Sequence, residues 1–300
     1  MFSNIIVLYC LLLITLTISC KKDETFVPFD FIMGTDLYPA SNTAQPEKGK
    51  LHQDPTFLTT IARVTQKADG YAGPGIENEY SRCDPENCDG TRLILRANSG
   101  ENFLYDPATW NLIGQINAFG DCVQEPEPRW ALTDPKVFYY LCGSELRSYN
   151  IEYDASTIVH DFKNEFPNAY DITTKVEGDA SLDRRYWCFM VEDSLFNLLA
   201  VIVYDRTADS VVGQKTSGFP DAINWVSIDM PGAHALIGFE SINYVQVYDL
   251  TMTTSLDLPP GSNAHGDLAF TAGTGQNLWV YQNTATDYIS FCDLGTGTET

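Results

Sequence analysis

Short apolar runs recur along most of the chain, separated by turn residues, and five of these runs end in a similar residue pair. The pairs are Tyr105-Asp106, Tyr149-Asn150, Tyr204-Asp205, Tyr248-Asp249 and Cys292-Asp293. Their first residues lie 44, 55, 44 and 44 positions apart. A repeat of about 40–50 residues that contains several short strands is typical of a propeller blade. The pattern therefore predicts an all-β protein, a β-propeller of four-stranded blades.

The number of strand-like runs changes at the end of the chain. Four repeats contain four such runs, whereas the fifth contains three before the sequence ends at Thr300. From the usual blade counts we expect about five blades here, from a complete ring of seven, and hence a propeller that is incomplete at its C-terminus. Residues 56–65, which are rich in β-branched side chains, are expected to form the outer strand of the last blade. An insertion at residues 193–197 accounts for the 55-residue spacing.

The first twenty residues have the character of an export signal. Residues 4–19 carry no charge and are mostly apolar, but the apolar stretch is short for a membrane span. Cys20 is followed at once by the charged run Lys21-Lys22-Asp23-Glu24. This switch at a cysteine resembles the signal of bacterial lipoproteins, in which the cysteine is lipidated. An ordinary cleaved signal or a short anchor helix are the alternatives.

These features divide the chain into three parts. We expect a signal peptide at residues 1–19, a lipidated Cys20 with a flexible tether over residues 20–50, and a propeller domain over residues 51–300. The expected location is the bacterial outer membrane, with the propeller exposed either at the cell surface or in the periplasm. The formal net charge of −22 argues against nucleic acid as a partner, because phosphate binding needs a basic face. An exported protein can also form disulfides, and Cys83 and Cys88 are spaced to close a small loop.

The residues that open the blades are the candidates for function. The first strand of each blade lines the central channel of a propeller, so polar residues near the starts of these strands are expected to converge. The candidates are Glu79, Arg129, Glu177, Asp179, Trp225, His265 and Asp267. The carboxylates and His265 would suit a divalent metal, although no cofactor is predicted. Arg129 would suit a carboxylate of a sugar or peptide, and Trp225 a sugar ring or the core.

A structural role is the alternative for the same residues. Polar side chains at these positions often hydrogen-bond the backbone of neighbouring blades and so fix the ring. The sequence also lacks a GxSxG elbow, an HExxH motif, a P-loop and a GxGxxG turn after a strand. The pattern therefore favours binding or ring closure over catalysis.

The blade-opening residues, together with the Tyr-Asp pairs, carry a family resemblance. The motifs are Glu79-Tyr80-Ser81, Arg129-Trp130, Glu177-Gly178-Asp179, Trp225-Val226-Ser227 and His265-Gly266-Asp267. They resemble secreted bacterial propellers of the WD40-like and TolB-like kind, over about residues 56–300. More distantly, the chain is similar to propellers of the oligogalacturonate lyase type, which bind a metal through several histidines. This sequence has four histidines, and of these only His265 opens a blade.

Two functions follow as hypotheses. The leading one is a lipid-anchored propeller that binds a protein or carbohydrate ligand or acts as a scaffold, without catalysis. The alternative is an enzyme on carbohydrate, a lyase or a glycosidase, that uses Glu177, Asp179, His265 and Asp267 at the channel mouth.

Overall fold

The computed structural model describes residues 44–70, 73, 75–122, 124–263 and 265–299, which form six antiparallel sheets. Four sheets have four strands, one has three, and a small additional sheet has two. The chain is a β-propeller. This confirms the prediction of about five blades, the last with three strands. The predicted signal peptide and Cys20 lie outside the described residues.

Each blade follows the chain in order, so that neighbouring strands pair as a simple meander. Blade 1 contains β3 (Ile76–Glu77), β4 (Leu93–Ala97), β5 (Asn102–Tyr105) and β6 (Leu112–Ile116). Blade 2 contains β7 (Arg129–Trp130), β8 (Val137–Cys142), β9 (Glu145–Asn150) and β10 (Ala155–Asp161). Blade 3 contains β11 (Asp171–Thr173), β12 (Tyr186–Glu192), β13 (Leu198–Asp205) and β14 (Ser210–Lys215).

The remaining strands complete the fold. Blade 4 contains β15 (Ile223–Ile228), β16 (His234–Phe239), β17 (Gln246–Asp249) and β18 (Ser255–Asp257). Blade 5 contains β19 (Gly266–Thr271), β20 (Gln276–Asn283) and β21 (Tyr288–Asp293). Helical structure in the described residues is limited to two 3₁₀ turns, Lys67–Asp69 and Phe162–Asn164. In this part of the chain no helix has the length and apolar character needed to cross a membrane.

The segment at residues 56–65 does not take the expected place in the last blade. Within it, β2 (Thr60–Ala62) pairs with β1 (Leu51–Gln53), and the two strands form a separate sheet. The β-branched residues correctly indicated a strand, but strand propensity does not specify the pairing partner. Ile61 is consequently about half exposed rather than packed within a blade.

Each repeated residue pair lies at the end of the third strand of its blade, where the Asp or Asn side chain stabilises the following turn. The Asp106 carboxylate accepts hydrogen bonds from the backbone N–H groups of Ala108 and Thr109. Asn150, Asp205 and Asp293 accept equivalent bonds in their own turns, and Asp249 accepts one from the backbone N–H of Thr253. Asp and Asn side chains favour such turns because they satisfy backbone N–H groups two or three residues ahead. The preceding aromatic or Cys side chain is buried in the blade.

The apolar core lies between neighbouring blades, where it fixes their relative position. Leu146 of blade 2 belongs to one buried cluster with Ile172 and Phe189 of blade 3. Trp225 of blade 4 and Trp279 of blade 5 are stacked, with ring centroids 5.3 Å apart. Burial of such side chains is the main favourable contribution to folding. The inter-blade core therefore holds the first strands of the blades around the central channel.

Candidate functional site

Arg129 joins three blades at the channel. Its side chain is buried, and Nη1 donates a hydrogen bond to Glu79 Oε2 at 2.8 Å. Nη2 donates to the backbone carbonyl of Gly178 at 2.8 Å, and Nε donates to the same carbonyl at 3.2 Å. The Glu127 and Asp179 carboxylates are more distant, at 3.9 and 3.8 Å. The hydrogen bonds of Arg129 therefore go to groups of the channel wall.

Gly178 makes this arrangement possible. A Cβ atom at this position would lie 1.9 Å from the carbonyl oxygen of Val226, a distance that no side chain can tolerate. Glycine thus allows the backbone of blade 3 to approach that of blade 4. The same close approach places the Gly178 carbonyl where Arg129 reaches it.

Glu79 is the titratable partner in this group. Burial raises its pKa to about 7, although the adjacent Arg129 guanidinium opposes the shift. Glu79 Oε1 is buried and has no hydrogen-bond partner among the described residues. The sequence left two roles open for these residues, binding a ligand and fixing the ring. The contacts of Arg129 and Glu79 fit the second role.

Arg82 and Glu177 lie further along the channel wall. Arg82 Nη2 is 3.1 Å from Glu177 Oε2. The guanidinium also lies over the rings of Trp225 and Trp279, at 4.7 and 5.1 Å from the centroids. Such cation–π contacts add to the ion pair in holding the guanidinium in place. Trp225 is itself buried behind Arg82, within the core between blades 4 and 5.

Arg184 and Asp179 form the second ion pair at this place. Arg184 Nη1 is 2.5 Å from Asp179 Oδ1, and Nε donates to the backbone carbonyl of Trp130 at 2.9 Å. Arg184 is buried, whereas Asp179 is about one third exposed. Asp179 therefore presents part of its carboxylate to solvent while Arg184 anchors it to blade 2.

A cavity of about 230 Å³ opens between these pairs, and we refer to it as the axial cavity. Its charged lining comprises Arg82, Asp84, Glu177, Asp179, Arg184 and Asp267. Its apolar lining includes Leu132, Leu182, Met230, Leu268 and Trp279. All five blades contribute, since Asp84 follows β3 and Leu132 follows β7. The cavity thus brings together three of the seven predicted residues, Glu177, Asp179 and Asp267.

The lining of the axial cavity contains more acidic than basic side chains. Both guanidinium groups are already paired with carboxylates, whereas Asp84 and Asp267 remain without an ion-pair partner among the described residues. Burial raises the pKa of Asp267, and the nearby Asp179 adds to the shift while Arg82 opposes it. A carboxylate whose pKa is raised in this way gains more from a bound cation than one that is already paired.

The other predicted residues lie elsewhere. Glu79 and Arg129 belong to the buried cluster described above. His265 is exposed just before β19 and is absent from the lining of the axial cavity. No group of three or more His, Cys, Asp or Glu side chains in the described ranges is arranged to hold a metal ion. Arg82, Asp84 and Arg184 were missed from sequence, although Arg82 belongs to the same blade-opening run as Glu79.

The disulfide does not close the loop at Cys83 and Cys88. Cys122, which precedes β7, is instead bonded to Cys142 at the end of β8. Cys83 is a buried thiol beside the Arg129 cluster. The short spacing of Cys83 and Cys88 was therefore not a sign of a bond between them. Cys188 and Cys292 are also buried thiols.

Comparison with known proteins confirms the similarity in fold. An oligogalacturonate lyase in complex with manganese matches with a TM-score of 0.57 and 11% identity, over 83% of this chain and 70% of the lyase. An oligogalacturonate lyase from Vibrio parahaemolyticus gives 0.56 and 9%, over 84% and 70%. TolB from Acinetobacter baumannii gives 0.49 and 15%, over 83% and 58%. No protein-family model and no curated protein matches the sequence. At these identities the similarity concerns the fold alone.

Proposed function

We propose that this protein is an exported, lipid-anchored propeller that binds a partner protein by receiving one of its basic side chains in the axial cavity. The observation that carries the proposal is the acidic balance of this cavity. Four carboxylates line it, and the only two cations among its lining residues are each held by one of them. An Arg or Lys side chain would supply the missing positive charge.

The size and lining of the axial cavity support a single side chain as the ligand. Drug-sized ligands occupy pockets of roughly 300–1,000 Å³, which exceeds the 230 Å³ available here. Leu182, Met230 and Leu268 offer apolar surface for the methylene stem of an Arg or Lys. Long basic side chains bury such stems while their charged ends reach polar groups.

The same features weigh against the carbohydrate enzyme. That hypothesis needs Glu177, Asp179, His265 and Asp267 around one substrate, yet His265 is not part of the cavity wall. Glu177 and Asp179 are engaged by Arg82 and Arg184. An oligogalacturonate, the substrate named for the two lyases of similar fold, is a polyanion and would be repelled by the unpaired Asp84 and Asp267.

The ligand class can be tested by calorimetric titration of the full-length chain. The probes are an acetylated and amidated Ala-Arg-Ala peptide, its neutral isostere with citrulline in place of arginine, and trigalacturonate. We expect the arginine peptide to bind at least tenfold more tightly than the citrulline peptide, and trigalacturonate to show no binding. Tighter binding of trigalacturonate than of the arginine peptide would refute the proposal and favour the enzyme.

The anchor is tested separately in a bacterial host that lipidates exported proteins. We expect radiolabelled palmitate to be incorporated into the wild-type chain and the chain to sediment with outer membranes. Cys20→Ala should abolish labelling and leave the protein uncleaved or released from the membrane. Labelling that is unchanged in Cys20→Ala would overturn the lipoprotein assignment without affecting the axial cavity.

A further inference from the structure

A second pocket lies beside the start of β11 and shares no lining residue with the axial cavity. It measures about 290 Å³, and its lining includes Glu125, Asp171, Thr173, Lys175 and Phe196. We refer to it as the Asp171 pocket. Asp171 opens β11, whereas Asp179 of the axial cavity follows the end of that strand. The two sites are therefore at different depths along the same channel wall.

Asp171, which lines this pocket, and its strand neighbour Glu192, which lies behind the lining, are buried carboxylates with unused hydrogen-bonding capacity. Asp171 and Glu192 are direct partners in the ladder between β11 and β12, and both are at least 96% buried. Asp171 Oδ2 and Glu192 Oε2 have no hydrogen-bond partner among the described residues. Leaving a buried acceptor unpaired is costly, and more so for a charged group. The pair therefore lacks donors that a ligand would supply.

The neighbouring charged groups do not neutralise both Asp171 and Glu192. Lys175 Nζ contacts Glu192 Oε1 at 2.6 Å and is the one cation of the pocket lining. Glu127, which also faces Asp171, accepts its hydrogen bonds from Thr173 and Thr174. Glu125 at the rim is paired with Arg96. Burial raises the pKa of Asp171 to about 7, and Glu192 and Glu127 add to this shift while Lys175 opposes it.

Exposed aromatic side chains border the Asp171 pocket. Phe196 belongs to the insertion that lengthens blade 3, and its ring meets that of Tyr170 edge to face at 5.9 Å. Both rings remain substantially exposed, and so does the adjacent Leu195. The insertion thus places exposed apolar surface next to buried, unpaired acceptors, a combination that suits a ligand with one charged and one apolar end.

We infer that the Asp171 pocket binds a primary ammonium group carried on a short apolar stem. An ammonium has three N–H donors, enough to satisfy both orphan oxygens, and it supplies the missing positive charge. The stem would lie against Phe196, whose ring face also attracts a cation. A divalent ion fits less well, because no set of three suitable ligands is found among the described residues.

The inference is tested by calorimetric titration with 1-aminopentane, and with 1-pentanol as the uncharged control. The full-length chain carries Asp267→Asn, which weakens cation binding in the axial cavity. We expect saturable binding of the amine and none of the alcohol. Affinity should rise severalfold from pH 6 to pH 8, because Asp171 must lose its proton while the amine keeps its own. Adding Asp171→Asn should weaken binding at least tenfold and remove this pH dependence.

Two further variants keep the test decisive if Asp171→Asn folds poorly. Lys175→Met removes the internal cation that competes for Glu192, so amine binding should tighten severalfold. Phe196→Ala, at an exposed position, should weaken it severalfold, whereas Asp287→Asn on the surface should leave it unchanged. Equal amine affinity in Phe196→Ala, Lys175→Met and the parent chain would overturn the inference. So would loss of binding through Asp267→Asn alone, which would place the amine in the axial cavity.

Discussion

The Arg129 cluster and the axial cavity are built from the same residue types but differ in what their arginines contact. Arg129 is buried, and its hydrogen bonds go to Glu79 and to backbone carbonyls of its own and the neighbouring blade. Arg82 and Arg184 also form ion pairs, but they border a cavity that contains further, unpaired carboxylates. Arg129 holds the ring together and lines no part of the axial cavity. Arg184 also bonds a backbone carbonyl of the neighbouring blade, but it and Arg82 border carboxylates that remain open to a ligand.

The comparison divides the blade-opening residues by function. Glu79 and Arg129 belong to the framework, and Trp225 supports it from the core. Glu177, Asp179 and Asp267 face the cavity. Variants of the first group should therefore change stability, and variants of the second should change binding.

The largest expected effect is that of Arg129→Met. Removing the guanidinium leaves the buried Glu79 carboxyl and the Gly178 carbonyl without their donor, which should cost about 3–5 kcal/mol of unfolding free energy. Denaturant titration measures this loss. The matched control is Arg185→Met, whose guanidinium is exposed in its ion pair with Asp205, so the loss should be much smaller. Equal losses in the two variants would contradict the structural role of Arg129.

The buried acids should make stability depend on pH in an unusual direction. The pKa values of Glu79 and Asp171 are raised to about 7, so the folded chain binds more protons than the unfolded chain between about pH 4.5 and 7. Stability should therefore fall as the pH rises through this range, by on the order of 1–3 kcal/mol per group. Glu79→Gln should make the slope shallower but not abolish it, because Asp171 still titrates, when unfolding is measured from pH 4.5 to pH 8.

The pKa of Asp205 is shifted in the opposite direction, so this residue serves as a control in the same experiment. Hydrogen bonding to Arg185 lowers its pKa to about 2, so its contribution is present above about pH 4 and is lost only as the pH falls toward 2. Asp205→Asn should leave the slope between pH 4.5 and pH 8 unchanged. A slope that is unchanged in Glu79→Gln and disappears in Asp205→Asn would show that the shifts are misassigned.

A smaller effect is expected from Glu177→Gln. The substitution leaves Arg82 without its anionic partner at the cavity wall, which makes the cavity less acidic. The arginine peptide should bind about fivefold more weakly, close to 1 kcal/mol. Because Arg82 keeps its contacts with Trp225 and Trp279, the melting temperature should change little. Unchanged peptide affinity would remove Glu177 from the binding site.

The smallest effect is expected from His265→Ala. His265 is exposed and does not line the axial cavity, so both the melting temperature and the affinity for the arginine peptide should stay at the wild-type values. Differential scanning calorimetry and the same titration measure both. A tenfold loss of affinity would return His265 to the site and revive the carbohydrate enzyme hypothesis.

The sequence predicts the repeat but not its closure. The Tyr-Asp spacing is informative because the Asp side chain satisfies a local turn, so the signal needs no distant partner. The partner of β2 is different, because β2 pairs with β1, which lies a few residues upstream, and not with a strand of the last blade. The β-branched side chains identified residues 56–65 as strand-like and carried no information on which strand would lie beside them.

The residues of the candidate site could likewise be predicted from the sequence only in part. Of the residues chosen by their position at the start of a blade, Glu177, Asp179 and Asp267 line one cavity. That position did not distinguish Arg129, whose burial depends on the close approach allowed by Gly178. Nor did it identify Arg184, which reaches the cavity from the turn after β11 by donating to the Trp130 carbonyl. Such contacts between blades have no counterpart in local sequence.

The most direct measurement is the affinity of the Asp267→Asn variant for the arginine peptide and its citrulline isostere, with the melting temperature recorded on the same sample. Removing the unpaired carboxylate should reduce the affinity for the arginine peptide at least tenfold and abolish the preference over citrulline. The melting temperature should not fall, because Asp267 is solvent-accessible and no ion pair is broken. A variant that keeps its arginine preference but melts at a lower temperature would contradict the assignment of the axial cavity as the binding site.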